Sequence, residues 1–205
     1  MADWAEGDPL EVAPRILGAV LTHGGVSVRV SEVEAYAGAD DPGSHAHRGR
    51  TERNAVRFGA PGHLYVYFVY GMHHCANLVT GPAGEPGAVL LRAGEVGDGI
   101  EQARVRRPGS TDRNLARGPA LLCRTLNIDL AANGVRADLA PPSYPAADMG
   151  FRISSGPRVG LRLAADRPWR FWITGDATVS DYRAAAFRGA ARSSGAGDDR
   201  PPSAL

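Results

Sequence analysis

Regular alternation of apolar and polar residues in GGVSVRVSEVEAY restricts the architectures open to this chain. Side chains two positions apart share one face of a strand, so Val26, Val28 and Val30 form an apolar row that must be buried against other elements. Continued alternation ends this row in three polar side chains: Glu32, Glu34 and Tyr36. Either the strand surfaces here and both carboxylates are solvated, or one of them is a general base in a cleft.

A second segment, YVYFVYGMHHCAN, predicts a β-hairpin with an unusual tip. Apolar and aromatic residues continue up to Gly71, which marks a tight turn, and resume after it. Turn tips usually carry polar residues, yet Tyr70 and Met72 flank this glycine. Either the tip folds over a neighbouring loop, or it is a wedge that fills the gap left by a nucleotide extruded from duplex DNA.

The remaining patterns predict an α+β fold. Asp8 and Pro9 predict the start of a helix that runs toward Leu21, and Thr51 is an N-cap for a short helix. GAVLLRAGEV is typical of a buried strand, and helical periodicity follows in GDGIEQARVRR and RGPALLCRTLNI. We predict one domain over residues 1–188 with packed helices and a mainly antiparallel sheet. Residues 189–205 contain few bulky apolar side chains and are expected to be disordered.

Composition excludes several classes of protein. No apolar run is long enough to span a bilayer, and the N-terminus lacks the features of a secretion signal. Two isolated cysteines, Cys75 and Cys123, fit a reducing compartment, so we expect a cytoplasmic protein. All 23 basic residues are arginine and the formal net charge is +1. Without lysine, Schiff-base chemistry is open only to the N-terminal amine.

Four histidines and one cysteine raise the alternative of a zinc site: His45, His47, His73, His74 and Cys75. Their spacing matches no common zinc motif, and adjacent residues of a strand point to opposite faces. Motifs for a serine nucleophile, a phosphate-binding loop or a dinucleotide are absent from the sequence as well. We therefore expect neither a metal nor a cofactor.

Several long motifs resemble one known family. EVEAYAGADDPGSHAHRGRTERN, PGHLYVYFVYGMHHCANLV and GAVLLRAGE occur in that order, followed by NLARGPALLCRTLNI, GPRVGL and WRFWITG. The chain resembles the mammalian-type alkyladenine (3-methyladenine) DNA glycosylases, in a bacterial form, over roughly residues 8–183. This resemblance implies a single α+β domain around a curved, mainly antiparallel sheet, similar to the C-terminal domain of formyltransferases.

The resemblance also implies roles for individual residues. Glu34 matches the general base that deprotonates the attacking water, and Arg92 matches the arginine that holds it. Asn77 matches the residue that rejects guanine by crowding its exocyclic amine. Three further positions match the pocket for the flipped base: Tyr36, His45 and Tyr67. Tyr70 matches the intercalating residue, with Met72 beside it at the tip.

The implied partner is double-stranded DNA that contains damaged purines, bound by a monomer. We expect its phosphates to contact nearby arginines, namely Arg48, Arg50, Arg53 and Arg57, with Arg104, Arg106 and Arg107 as further candidates. Two positions depart from the family pattern, since Glu52 replaces a common proline and His74 a common aromatic residue. Two alternatives remain: a DNA-lesion binder without activity, and a different enzyme on the same fold.

Overall fold

The computed structural model of the protein describes residues 5–140 and 150–185. Within them the chain forms three α-helices, α1 (Pro9–Arg15), α2 (Ile100–Arg106) and α3 (Pro119–Leu126). The strands are β1 (Val20–His23), β2 (Val26–Tyr36), β3 (Leu64–Val69), β4 (His73–Thr80), β5 (Gly87–Val96), β6 (Ala116–Arg117), β7 (Leu139–Ala140), β8 (Ile153–Gly156) and β9 (Arg170–Ile173). The predicted tail, residues 189–205, lies outside the described residues.

The strands form one antiparallel sheet in the order β3-β4-β5-β2-β1-β7, with β6 beside β5 and β8 beside β9. Strand β2 is central because its first half pairs with β1 and its second half with β9, while β5 runs along its other edge. The sheet therefore divides at the middle of β2 and curls around the core. The predicted α+β fold with a curved, mainly antiparallel sheet is confirmed.

Two β-bulges in the middle of the sheet change which side chains face the core. Along β2 and β5, Val30 pairs with Gly94 and Val33 with Leu91, and the register shifts on either side of the pair Glu32–Ala93. Each strand thus contains one extra residue between these pairs. One extra residue moves every later side chain to the other face of the sheet.

The core-facing row consequently changes parity along β2. It begins with Val26, Val28 and Val30 and continues with Val33 and Ala35, all of which belong to the buried apolar cluster. The prediction that the valine row continues into Glu32, Glu34 and Tyr36 is therefore wrong. After the bulges, the even-numbered residues of β2 lie on the face opposite the core.

Helix α1 is shorter than the sequence pattern indicated. The Asp8 side chain accepts a hydrogen bond from the Leu10 amide at 2.7 Å, and Pro9 occupies the first turn, as predicted. The helix ends at Arg15, however, and Gly18 adopts a positive φ of 85° before β1 begins. The prediction of helix up to Leu21 is wrong, because that residue pairs with Val28 in the sheet.

The other predicted elements are present where the sequence placed them. Thr51 caps a 3-10 helix over Glu52–Phe58, and the aromatic hairpin is formed by β3 and β4. Helix α3 buries Leu122 and Leu126 against the sheet. Cys75 and Cys123 are both buried, free thiols. In the described residues, no helix has both the length and the apolar character needed to span a bilayer.

Candidate active site

A row of paired residues crosses the sheet on the face opposite the core. Tyr65 of β3 pairs with Asn77 of β4, Asn77 with Leu90 of β5, and Leu90 with Glu34 of β2. Neighbouring strands lie about 4.8 Å apart, so this row places Asn77 roughly 10 Å from Glu34 on the same face. Two residues predicted for the site, 43 positions apart in sequence, are thereby brought together.

Glu34 is fully buried and is held by two hydrogen bonds and one ion pair. The Val159 amide donates to Oε1 at 2.7 Å, and the guanidinium Nη1 of Arg92 lies 3.1 Å from the same oxygen. The Tyr36 hydroxyl donates to Oε2 at 2.8 Å. The structure thus brings Glu34, Tyr36 and Arg92 into contact. Val159 had no predicted role, because its contact is made by the backbone and joins segments 125 residues apart.

Glu32 is the second buried carboxylate of β2, and it binds Arg92 as well. Its Oε1 accepts from Nε of Arg92 and from Nε of Arg170, both at 2.7 Å. Ser180 donates to Oε2 through its backbone amide, at 2.6 Å, and to Oε1 through its hydroxyl, at 2.9 Å. Burial by itself raises the pKa of Glu32, but the two arginines and Ser180 outweigh that effect and lower it.

Aromatic side chains surround the remaining approach to Glu34. Tyr67 lies beside Tyr65 on β3, with ring centroids 5.4 Å apart, and pairs with Cys75 of β4. Burial and the charge of Glu34 raise the pKa of Tyr36 well above 10, and burial beside Cys75 does the same for the pKa of Tyr67. Both phenols therefore stay protonated at neutral pH, as hydrogen-bond donors.

His45 forms the outer edge of this pocket. Its ring meets the Tyr67 ring edge-on, with centroids 4.6 Å apart and an interplanar angle of 78°. The side chain of Asn54 fixes the loop by donating to the carbonyls of His45, at 3.1 Å, and Gly49, at 3.0 Å. Partial burial, together with the positive charges of Arg57 and Arg53, lowers the pKa of His45 below 6.5. The imidazole is therefore neutral at pH 7.

A buried ion pair supports the pocket from behind, and sequence reasoning missed it. Arg158 and Asp41 form a two-point contact at 2.5 and 2.7 Å, with both side chains fully buried. The guanidinium also donates to the Ala35 carbonyl at 3.0 Å and lies 4.6 Å from the centre of the Tyr36 ring. Arg158 belongs to the motif GPRVGL, which contributed to the family resemblance without a role for any of its residues.

The hairpin tip is exposed, in contrast to the pocket. The side chains of Tyr70 and Met72 project into solvent, and Tyr70 as a whole is 88% exposed. Tyr70 and Gly71 have φ values of 53° and 69°, and the Met72 amide donates to the Val69 carbonyl at 3.2 Å. Two successive residues with positive φ are the mark of type I′ turns, which match the twist of paired strands. The alternative of a tip folded over a loop is wrong.

A groove of about 480 Å³, lined by both polar and apolar residues, lies on the other side of Glu34. It includes Arg92 and Val159, which both contact Oε1 of Glu34. Further lining residues are Asn114, Arg117, Asp181 and Arg183. The two oxygens of the carboxylate are thus held from two sides: Oε2 by the aromatic pocket, and Oε1 by residues of this groove.

The arginines predicted to contact DNA differ in their surroundings. Arg48 and Arg50 are exposed, and Arg53 donates to the Phe68 carbonyl near the hairpin tip at 3.1 Å. Arg57 is only 2% exposed and donates to Ser44 and to the Pro86 carbonyl, so its prediction as a DNA contact is wrong.

The three further candidates on and beside α2 have partners within the protein. Arg104 is paired with Asp112 and Glu101, Arg106 donates to carbonyls of Thr125 and Gly24, and Arg107 donates to Leu115. In the part of the chain that the structure describes, no three or more His, Cys, Asp or Glu side chains are grouped as a metal site would require.

Comparison with known proteins identifies the family of this chain. Residues 3–177 match the model of the family described as methylpurine-DNA glycosylase. A protein of Streptomyces avermitilis is 51% identical over 187 residues, covering 85% of this chain and 87% of the relative. A Nocardia farcinica protein is 52% identical, with coverages of 86% and 88%, and a Mycobacterium tuberculosis protein is 50% identical, with coverages of 86% and 90%.

All three relatives carry the provisional name 3-methyladenine DNA glycosylase. The family match spans most of the chain, and the identities extend over more than four-fifths of it. The chain therefore belongs to the methylpurine-DNA glycosylase family, enzymes that hydrolyse the N-glycosidic bond between a base and the deoxyribose of DNA.

Proposed function

We propose that the chain is a monofunctional glycosylase of base excision repair that flips a damaged purine out of duplex DNA and leaves an abasic site. The candidate bases are 3-methyladenine, 7-methylguanine and hypoxanthine. The observation that carries the proposal is the setting of Glu34: a buried carboxylate, oriented by two hydrogen bonds and an ion pair, between an aromatic pocket and an arginine-lined groove.

Glu34 has the capacity to orient one water. A carboxylate offers about four acceptor positions; Val159 fills one on Oε1 and Tyr36 one on Oε2, and the guanidinium of Arg92 lies against Oε1 in an ion pair. The position left is on Oε2, the oxygen on the side of the aromatic pocket. A water that donates there is aimed at C1′ of a nucleotide whose base occupies the pocket, and Glu34 accepts its proton. The carboxylate also stabilises the positive charge that develops on the sugar.

The pocket suits a flat base that is ready to leave. Tyr36, Tyr67 and His45 supply aromatic surface, and stacking contributes about 1–3 kcal/mol per base. Alkylation at a ring nitrogen gives the purine a positive charge, so it departs as a neutral molecule without prior protonation. Hypoxanthine has no such charge and must gain a proton as it leaves. Asn77 lies in the same row as Glu34, where its side chain limits the room for the exocyclic amine of guanine.

The hairpin tip stabilises the extruded state. Flipping a base costs a few kcal/mol of lost stacking and pairing. Tyr70 projects into solvent on the hairpin that also bears Tyr67 and Asn77, so a nucleotide in the pocket leaves its gap close to the Tyr70 ring. Insertion of that ring, with Met72 beside it, recovers part of the cost.

The groove beside Oε1 receives the sugar–phosphate chain. A base in the aromatic pocket is joined through C1′ to a deoxyribose that must extend past Glu34, and the groove opens there. Arg117 and Arg183 line it, and arginine guanidinium groups bind phosphate oxygens in pairs. Exposed Arg48, Arg50 and Arg53 extend the positive surface toward the hairpin. No lysine is present for strand cleavage through a Schiff base.

Incubation with three duplexes, carrying 3-methyladenine, 7-methylguanine or hypoxanthine, tests this proposal. Release of the free base is measured together with strand integrity before and after alkali. The wild type is expected to release at least one base and to leave a strand that breaks only in alkali. Glu34→Gln should bind the same duplex but release base about 10²–10⁴-fold more slowly, the range typical of a lost general base.

Three results would contradict the proposal. The first is a Glu34→Gln variant that releases base at the wild-type rate, which excludes Glu34 as the base. The second is a strand that breaks before alkali, which excludes a monofunctional enzyme. A protein that binds lesion duplexes without releasing any of the three bases would instead favour the silent binder.

A further inference from the structure

Glu32 is a buried carboxylate for which the proposed mechanism has no use. It is fully buried, and its two oxygens accept four hydrogen bonds, from Arg92, from Arg170 and twice from Ser180. Oε1 accepts three of these bonds and Oε2 accepts one. Because the side chain has no exposed surface, any role of Glu32 in the reaction must pass through its partners.

The partner that reaches the reaction centre is Arg92. Its Nε donates to Glu32 at 2.7 Å, and its Nη1 lies 3.1 Å from Glu34. A guanidinium is planar and rigid, so a bond that fixes Nε also fixes the direction of Nη1. The hydrogen bond between Nε and Glu32 thus fixes the direction in which Nη1 points toward Glu34.

This region contains two buried guanidinium groups and two buried carboxylates, so its formal charges cancel. Arg92 and Arg170 are 5% and 4% exposed, while Glu32 and Glu34 are fully buried. Glu32 takes one bond from each arginine, which leaves Glu34 with a single and longer contact to Arg92. Charges interact strongly in a site that excludes water. The strength of the ion pair between Glu34 and Arg92 therefore depends on how many of the arginine contacts Glu32 takes.

We propose that Glu32 is a positioning residue for base excision. By binding Nε of Arg92 it aims Nη1 at Glu34, and by sharing both arginines it keeps Glu34 from being locked in a full ion pair that would weaken it as a base. The proposal rests on the proposed function of Glu34. Ser180 binds Glu32 through its amide and its hydroxyl, so the segment after β9 contacts the same group of charged side chains.

Loss of Glu32 alone would leave two buried arginines with one carboxylate, and such a variant is expected to be unstable. The decisive variant is therefore the charge-balanced pair Glu32→Gln with Arg170→Gln, which removes one carboxylate and one guanidinium. Arg92 then has only Glu34 as a charged partner. We expect this double variant to fold, with a thermal midpoint close to that of the wild type.

The readout is single-turnover base release from methylated duplex DNA between pH 5 and 9. The double variant should bind this DNA within threefold of the wild-type Kd but release base at least tenfold more slowly. The acid limb of its rate profile should move to lower pH, because a carboxylate in a full ion pair is harder to protonate. A folded double variant with the wild-type rate, or an acid limb that stays in place or moves to higher pH, overturns the proposal.

Asp176→Asn is the matched control. Asp176 pairs with Arg29 at 2.7 Å and likewise ties β2 to the segment after β9, but it touches neither Arg92 nor Glu34. Its loss should lower the thermal midpoint without changing the pH profile. A wild type that releases no base would refute the proposed function, whereas an active wild type with an equally active double variant would refute only the role of Glu32.

Discussion

The pocket around Glu34 and the tip of the β3–β4 hairpin share one pair of strands but meet opposite physical requirements. In the pocket, polar groups already have partners before the substrate binds: Glu34 accepts two hydrogen bonds and forms an ion pair with Arg92, and Arg158 lies over the ring of Tyr36. At the tip, Tyr70 is 88% exposed on a turn with positive φ.

The difference follows from what each region is proposed to do. A general base must be fixed and shielded from solvent before the substrate arrives, because reorientation during the reaction is costly. An intercalating side chain must stay outside the fold, since its burial in DNA is what stabilises the flipped state. Substitutions in the pocket should therefore affect folding and chemistry, whereas substitutions at the tip should affect only DNA binding.

The largest effect on stability is expected at the base of the pocket. Asp41→Asn removes the charge that compensates Arg158, and breaking a buried pair costs about 3–5 kcal/mol in the free energy of unfolding. Urea unfolding followed by circular dichroism measures this loss. Asp112→Asn, at the exposed pair with Arg104, is the control and should leave the midpoint unchanged. Equal urea midpoints for Asp41→Asn and Asp112→Asn would show that the buried ion pair contributes no more stability than the exposed one.

The same ion pair predicts a dependence of stability on pH. Arg158 outweighs the effect of burial and lowers the pKa of Asp41 below 3.8. A carboxyl whose pKa is lower in the folded state contributes its full stability above the unfolded pKa and loses it as the pH falls through the folded value. The wild type should therefore lose stability below about pH 4 more steeply than Asp41→Asn. Parallel curves of unfolding free energy against pH would contradict this.

At the tip we expect a loss of affinity without a loss of stability. Tyr70→Ala should raise the Kd for lesion duplex about 5- to 150-fold, as expected when about 1–3 kcal/mol of stacking is lost. The rate of base release from the saturated complex should fall much less. Tyr70→Phe keeps the ring and should retain the affinity, measured by fluorescence anisotropy. If Tyr70→Ala and Tyr70→Phe bind lesion duplex with the same Kd, the ring does not act as a wedge.

The smallest effect is expected in the groove, and it should depend on salt. Arg117→Gln should weaken binding only a few-fold at low salt and reduce the slope of log K against log salt by about one. Arg104→Gln, on α2, is the control and should keep the slope. Asp181→Asn frees Arg117 from its ion pair at 2.8 Å and should strengthen binding. An unchanged slope for Arg117→Gln would exclude this groove as a phosphate site.

Local patterns in the sequence were sufficient for most elements of the fold. Alternation in the first half of β2, the Gly71 turn and the Thr51 cap depend on residues close together in the chain, and all three predictions were confirmed. Beyond Val30 the alternation failed, because the bulges shift the register. Periodicity failed between Arg15 and Val20, where the apolar residues suit either a helix or a strand. Pairing of Leu21 with Val28 decided the outcome, and pairing is not a local property.

The same distinction between local patterns and long-range contacts applies to the candidate site. The sequence by itself determined which residue types are available: the motifs named Glu34, Tyr36 and Arg92, and the lack of lysine removed one class of chemistry. Only the tertiary structure decided on which face Glu34 lies, because two bulges shift the register of β2 against β5. It also supplied the partners Val159, Arg158 and Ser180, which come from more than 120 residues away along the chain. Such contacts depend on how the sheet curls and on which segment covers it, and no spacing in a linear sequence encodes either.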